Sequence, residues 1–288
     1  MRAYLFWFFC LLIVPGVVSA QDSDHRVTLG KLRAPVLSEV SGMVPSSRYA
    51  GQIWVHNDSG DNAKIYLIDS LAQLNATVTL GGIAAVDIED IAWVNLDGEP
   101  HLVLADIGDN RARREEIYLY ILKEPENLDQ LGEMYVPAAD IRICTLRYAD
   151  QRARDAEAIF VDPKEQQVVL ISKREFRSSV YAAPVFGQPS ETNFSLQKQV
   201  ELPFTFATAA DISRNRDAIL IKNLTHIYKW ALLPHESVSD ALMRVPENRP
   251  YQPEPQGEAI AFDHTGRGFY TLSERPLGLD AYLYYYLF

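Results

Sequence analysis

Four oxygen-bearing side chains in this 288-residue chain, Ser41, Glu89, Glu157 and Glu258, open short apolar runs of the same kind. The runs are Ser41-Gly42-Met43-Val44, Glu89-Asp90-Ile91-Ala92, Glu157-Ala158-Ile159-Phe160 and Glu258-Ala259-Ile260-Ala261; a fifth, Ala210-Asp211-Ile212-Ser213, starts without the oxygen. Two residues before these positions stand Glu39, Asp87, Asp155, Thr208 and Gln256. Side chains two apart on a strand share a face, so two polar layers would stack wherever the five runs converge. Carboxylates crowded together repel and raise one another's pKa unless a cation neutralises them. A hard divalent ion with oxygen ligands, calcium before magnesium, answers that chemistry. The expected metal ligands are therefore Ser41, Glu89, Glu157 and Glu258.

A second set of polar residues ends the next apolar run of each repeat: Asp58, Asp106, Lys173, Lys222 and Glu274, at 17, 17, 16, 12 and 16 residues after the first set. With Arg174, Arg275 and the Arg111, Arg113, Arg114 cluster they would form a mixed rim able to hold an anion over the ion. In a hydrolytic reading Asp106 or Asp90 serves as general base, and Lys173, Arg174 and Lys222 stabilise developing negative charge. The competing reading has the acidic residues do no more than accept hydrogen bonds from the backbone amides of neighbouring strands. Gly-x-Ser-x-Gly, His-Glu-x-x-His, Cys-x-x-Cys and phosphate-binding glycine loops are all absent from the sequence.

The elements that must position these residues are repeats. Asp58-Ser59-Gly60-Asp61-Asn62 returns 48 residues later as Asp106-Ile107-Gly108-Asp109-Asn110. Both phrases read as turns, with glycine supplying a positive φ. Each repeat has three short β-rich runs, the third with a tyrosine at Tyr66, Tyr118, Tyr181, Tyr228 or within Tyr282 to Tyr286. Three or four short strands repeated at such a period describe the blades of an all-β propeller. Successive key positions are 48, 68, 53 and 48 residues apart, which gives five blades, and the long second interval leaves room for a very small sixth. The last repeat lacks an outer strand, and residues Val27 to Arg33 are expected to supply it, closing the ring by pairing the two ends.

Residues 1–20, with Arg2, an apolar stretch from Tyr4 to Val14 and Val18-Ser19-Ala20 before Gln21, read as a secretory leader. Residues 21–288 then form a single secreted or periplasmic domain with no stable membrane insertion. One cysteine, Cys144, remains after the leader, so no internal disulfide can form. The net charge of -11 makes nucleic acid a poor partner.

In the order of its ring residues, Ser41, Glu89, Glu157, a non-acidic fourth member and Glu258, the chain resembles the calcium-activated apyrases. These are secreted five-bladed propellers that hydrolyse nucleoside di- and triphosphates. The resemblance implies a central calcium held by those serine and glutamate side chains, with Thr208 or a backbone carbonyl serving where Ala210 offers no ligand. The phrases Asp87-Ile88-Glu89-Asp90 and Thr208-Ala209-Ala210-Asp211 are also similar to those of secreted bacterial propellers that have no assigned activity. Three functions follow as expectations: a metal-dependent hydrolase of a small anionic ester or phosphoanhydride, a non-catalytic propeller that binds a protein or glycan, and a glycoside hydrolase using a carboxylate pair.

Overall fold

A computed structural model describes residues 26–288 apart from positions 59, 129–131 and 189. The leader segment lies outside the described residues. The chain opens with β1 (Arg26–Lys31) and continues into an antiparallel meander, β2 (Val40–Pro45), β3 (Gln52–Asn57), β4 (Lys64–Asp69) and β5 (Leu74–Leu80). A second meander comprises β6 (Ile88–Leu96), β7 (Glu99–Asp106) and β8 (Ile117–Lys123). After it, β9 (Gly132–Val136) runs back to pair in parallel with β5, and β10 (Ile141–Tyr148) returns as the outer strand on β8. The long second interval thus carries β9, which widens the first sheet.

The third meander is β11 (Ala156–Asp162), β12 (Gln167–Ser172), β13 (Ser179–Ala183) and β14 (Asn193–Glu201), and its outer strand pairs in parallel with β10. The fourth is β15 (Ala207–Ile212), β16 (Ala218–Asn223), β17 (Ile227–Ala231) and the short β18 (Glu247–Arg249), with helix α1 (Val238–Leu242) between the last two. The fifth, β19 (Gly257–Phe262), β20 (Gly268–Ser273) and β21 (Tyr282–Leu287), takes β1 as its fourth strand, with Val27 opposite Tyr285. This is the closure by the N-terminal strand expected from the sequence, and the arrangement is that of a β-propeller.

The innermost strands β2, β6, β11, β15 and β19 follow one another around an axis, β19 returning against β2. Burial follows their position in each sheet. Strands β2, β11 and β19 are buried along their whole length, while the outer strands β10 and β14 alternate buried and exposed because one face meets water. The apolar core forms clusters wedged between successive sheets. One joins Trp54, Ile65 and Leu67 to Leu102 and Leu104, and another closes the circuit by packing Leu272 and Leu283 on Met43, Val55 and Tyr66. Sheet stacking of this kind fixes where the starts of the inner strands point.

Candidate functional site

All five inner strands slip register by one residue at the same place. The slips fall between Val40 and Gly42, Ile88 and Asp90, Ala156 and Ala158, Ala207 and Ala209, and Gly257 and Ala259. The extra residues are Ser41, Glu89, Glu157, Thr208 and Glu258. A bulge re-aims a side chain and ends regular pairing, and here it selects one residue per inner strand. In the fourth sheet that residue is Thr208, two positions before the Ala210 that spacing alone pointed to. The two hydroxyl members bond to the next inner strand: Ser41 Oγ donates to the Glu89 carbonyl at 2.9 Å, and Thr208 Oγ1 to the Gly257 carbonyl at 3.4 Å. Ser41 is thus turned to backbone, whereas Glu89, only 1% exposed, keeps Oε2 buried with no hydrogen-bond partner among the described residues.

Around Glu89 the two polar layers meet. Carboxylate oxygens of Glu89, Asp155 and Glu157 lie within 4.8 Å of one another, and so do those of Asp58, Asp87 and Glu89. Asp155 is fixed from three sides: its carboxylate accepts from the Asp109 amide at 2.9 Å and from Arg174 Nε at 2.5 Å, and its carbonyl accepts from the Lys173 amide. The Asp87 carbonyl accepts from the amides of Ile107 and Gly108, and its side chain shares a hydrogen bond with Asp58. Gly108 is what lets these groups approach, since a Cβ there would fall 2.2 Å from Glu89 Oε1 and 2.4 Å from Asp87 Oδ2. Its φ is not positive, unlike that of Gly60 at 86°. The two copies of the repeated phrase therefore use glycine differently, one for a turn and one for space.

Burial, then the neighbouring charge of Glu157, Asp58 and Asp87, holds the Glu89 carboxyl well above its usual range. Burial likewise raises Glu157 to about 7, against the pull of Lys173. Two overlapping trios of carboxylates that share Glu89, a buried orphan oxygen and a cradle kept open by glycine offer oxygen ligands of the kind a divalent cation takes.

Glu258, the fourth expected ligand, does not join this cluster. The Lys173 ammonium stands between it and the others, 2.7 Å from Glu157 Oε2 and 3.3 Å from Glu258 Oε1. Glu258 also hydrogen-bonds Glu274, whose carboxyl burial and the Glu258 charge push up to about 9.

The remaining expected site residues are placed apart from the carboxylate cluster or are engaged. Arg174 reaches Asp155, as above, and Asn110. Asp106 is wholly buried, accepting from the Val86 and Asp87 amides at 3.0 Å and from Tyr120 Oη at 2.8 Å, with Arg114 at 2.8 Å. Lys222 donates to the Gly257 carbonyl, its ammonium 5.1 Å from the Tyr251 ring, and burial lowers its pKa to about 8. Asp90 lies on the axial side of its strand, accepting from the amides of Ile91 and Ile159 at 2.8 Å; Asp211 does the same for Ile212 and Phe262. These two carboxylates satisfy backbone amides of adjacent inner strands, which an edge strand otherwise leaves unpaired.

Asp90→Ala should accordingly cost about 3 kcal/mol of stability by stranding buried amides. Denaturant unfolding measures the loss. Loss of turnover with stability intact would instead mark Asp90 as a base.

Two groups were legible only in part. Asp87 and Asp155 belong to the layer two residues before the ring, and Gly108 carried no signal beyond the repeated phrase. No family model matches the chain, and no curated protein matches it. Among solved structures it is similar to the WD40 repeats of RRP9, at 10% identity and a TM-score of 0.48 over 92% of this chain and 98% of that one.

Proposed function

We propose that this chain is a five-bladed β-propeller that binds one divalent cation, calcium in the first instance, at the axial mouth. Glu89, Asp155 and Glu157 would hold it, with Asp58 and Asp87 completing the oxygen shell. The observation that carries the reading is the buried, unpartnered Glu89 Oε2 beside four further carboxylates. When bound, such an ion polarises an anionic substrate and lowers the pKa of a water. We infer hydrolysis of a small anionic ester or phosphoanhydride by an exported protein, with Arg174, anchored on Asp155, as the rim cation nearest the cluster. Asp90 and Asp106 are given structural roles in this reading, since each already accepts several hydrogen bonds.

A non-catalytic binding propeller is the second reading. Phe176 and Leu277, 97% and 103% exposed, stand on the loops after β12 and β20 beside the same mouth, where a partner could cover them.

Calorimetric titration of calcium into the chelated protein is expected to show one ion per chain, with Kd on the order of micromolar to millimolar. Glu157→Gln should weaken it about 100-fold, by removing one ligand charge and leaving Lys173 less well opposed. Calcium-dependent phosphate release from nucleotides or simple phosphoesters supports the hydrolase; calcium binding that raises thermal stability without turnover supports the binding propeller. No heat at millimolar calcium would remove the ion.

A further inference from the structure

The acidic ring carries a cation of its own. Lys173, at the end of β12 in the third sheet, reaches across the fourth to Glu258 at the start of β19, while also holding Glu157. It can do so because the intervening ring member is Thr208, uncharged and bonded to the Gly257 carbonyl. Lys173 is 7% exposed.

We propose that Lys173 is a built-in counter-cation occupying a second cation position of the ring, between Glu157 and Glu258. It confines an external ion to the side of Glu89, Asp155 and Asp87. This rests on the cation-binding reading for the position of the first ion, but not for the existence of the second position. A positive charge within a few ångströms also weakens binding of a dication by like-charge repulsion. The ring would thus hold one tethered cation at all times and an exchangeable one when calcium is present. The class of ligand for the latent position is a hard cation, because Glu157 and Glu258 offer carboxylate oxygens and Glu274, bonded to Glu258, a third.

The test is Lys173→Met, titrated with calcium and with terbium as luminescent probe, beside the native protein and Lys173→Arg. The substitution should add a second ion per chain or tighten calcium binding at least about tenfold, while Lys173→Arg keeps the native stoichiometry. In chelator, Lys173→Met should melt about 10 °C below the native protein, since two buried carboxylates lose their partner. Millimolar calcium should recover most of that loss. If the native protein binds no calcium but Lys173→Met binds one ion, the earlier reading fails and this one stands. A variant that binds as the native protein does, or that is destabilised and not rescued by calcium, overturns it.

Discussion

Without divalent cations, the thermal midpoint of the protein should fall by about 8 °C between pH 6.5 and pH 8, and millimolar calcium should remove the part of the fall that comes from the carboxyls of the proposed cation cluster. The sign follows from carboxyls whose folded pKa is raised. Burial and like charge hold Glu157 at about 7 and Glu274 at about 9, and burial holds Asp211 at about 7. Each is protonated in both states below its ordinary carboxylate pKa and costs nothing there. As pH rises toward the folded value, the unfolded chain ionises first and the folded state loses ground. Two groups act oppositely and set the window. His56, kept neutral by burial with a pKa lowered to about 4, adds stability up to about pH 6.5, and Lys222, lowered to about 8, adds it above pH 8. Between those limits the carboxyls dominate, at roughly 3 kcal/mol in sum. An ion at the proposed site would reverse the loss from Glu157 and Glu89 but not from Glu274, which bonds Glu258 outside that cluster, nor from Asp211, which caps backbone amides elsewhere on the axis. Scanning calorimetry in chelator and in calcium separates the two parts. A midpoint that rises with pH across this window in chelator would mean the ring carboxyls are not held as described.

The fold was readable because it repeats. Three apolar runs per unit, the tyrosines of the third run and the edge left open at Tyr282 to Leu287 were enough to place β1 on β21. The site was readable to the level of the strand but not of the face. Asp58, Lys173 and Glu274 follow their second strands and donate their amides to the carbonyls of Glu39, Asp155 and Gln256. In the second sheet the equivalent amide belongs to Ile107, which donates to Asp87, so Asp106 is one residue out of phase. A one-residue slip turns a side chain to the other face, and Asp106 faces Tyr120 and Arg114 rather than the ion cluster. Lys222 lies two residues before the equivalent position, inside the ladder opposite Ala209. The fourth ring member was misplaced for a related reason. Ala210-Asp211-Ile212 imitates Glu89-Asp90-Ile91 in pattern, yet the bulge sits on Thr208 and the two aspartates cap amides at different depths of the axis. Periodicity reports which face a run shares; the bulge falls on an oxygen-bearing residue in every inner strand, and in the fourth the repeated Asp211 drew the reading past Thr208. Electrostatics was the other hidden part, because nothing in the spacing says that Lys173 spans two blades to neutralise Glu258.

Gly30→Ala is expected to destabilise the protein by about 3 kcal/mol or more and to lower its thermal midpoint by about 10 °C. The glycine lies in β1 just after a register slip at Leu29, where the strand crosses the turn between β4 and β5. A Cβ at residue 30 would lie 2.0 Å from the Leu71 carbonyl oxygen and 2.2 Å from its carbon. Backbone cannot swing aside as a side chain can, and this turn is pinned, with the Asp69 side chain accepting from the amides of Leu71 and Gln73. Either β1 lifts from β21 or the turn unwinds. Lifting β1 exposes the edge of β21, an invitation to pairing between molecules, and frees the last sheet from the first. Since β19 and β2 meet at that seam, the loss should also loosen the ring and weaken calcium binding at the proposed site, although residue 30 touches none of its carboxylates. Gly51→Ala is the comparison: its φ of 73° makes alanine strained, but nothing lies within 4 Å of the added carbon, so about 1 kcal/mol is expected with calcium affinity unchanged. Equal losses from the two substitutions would mean that the closing strand carries no special share of the fold's stability.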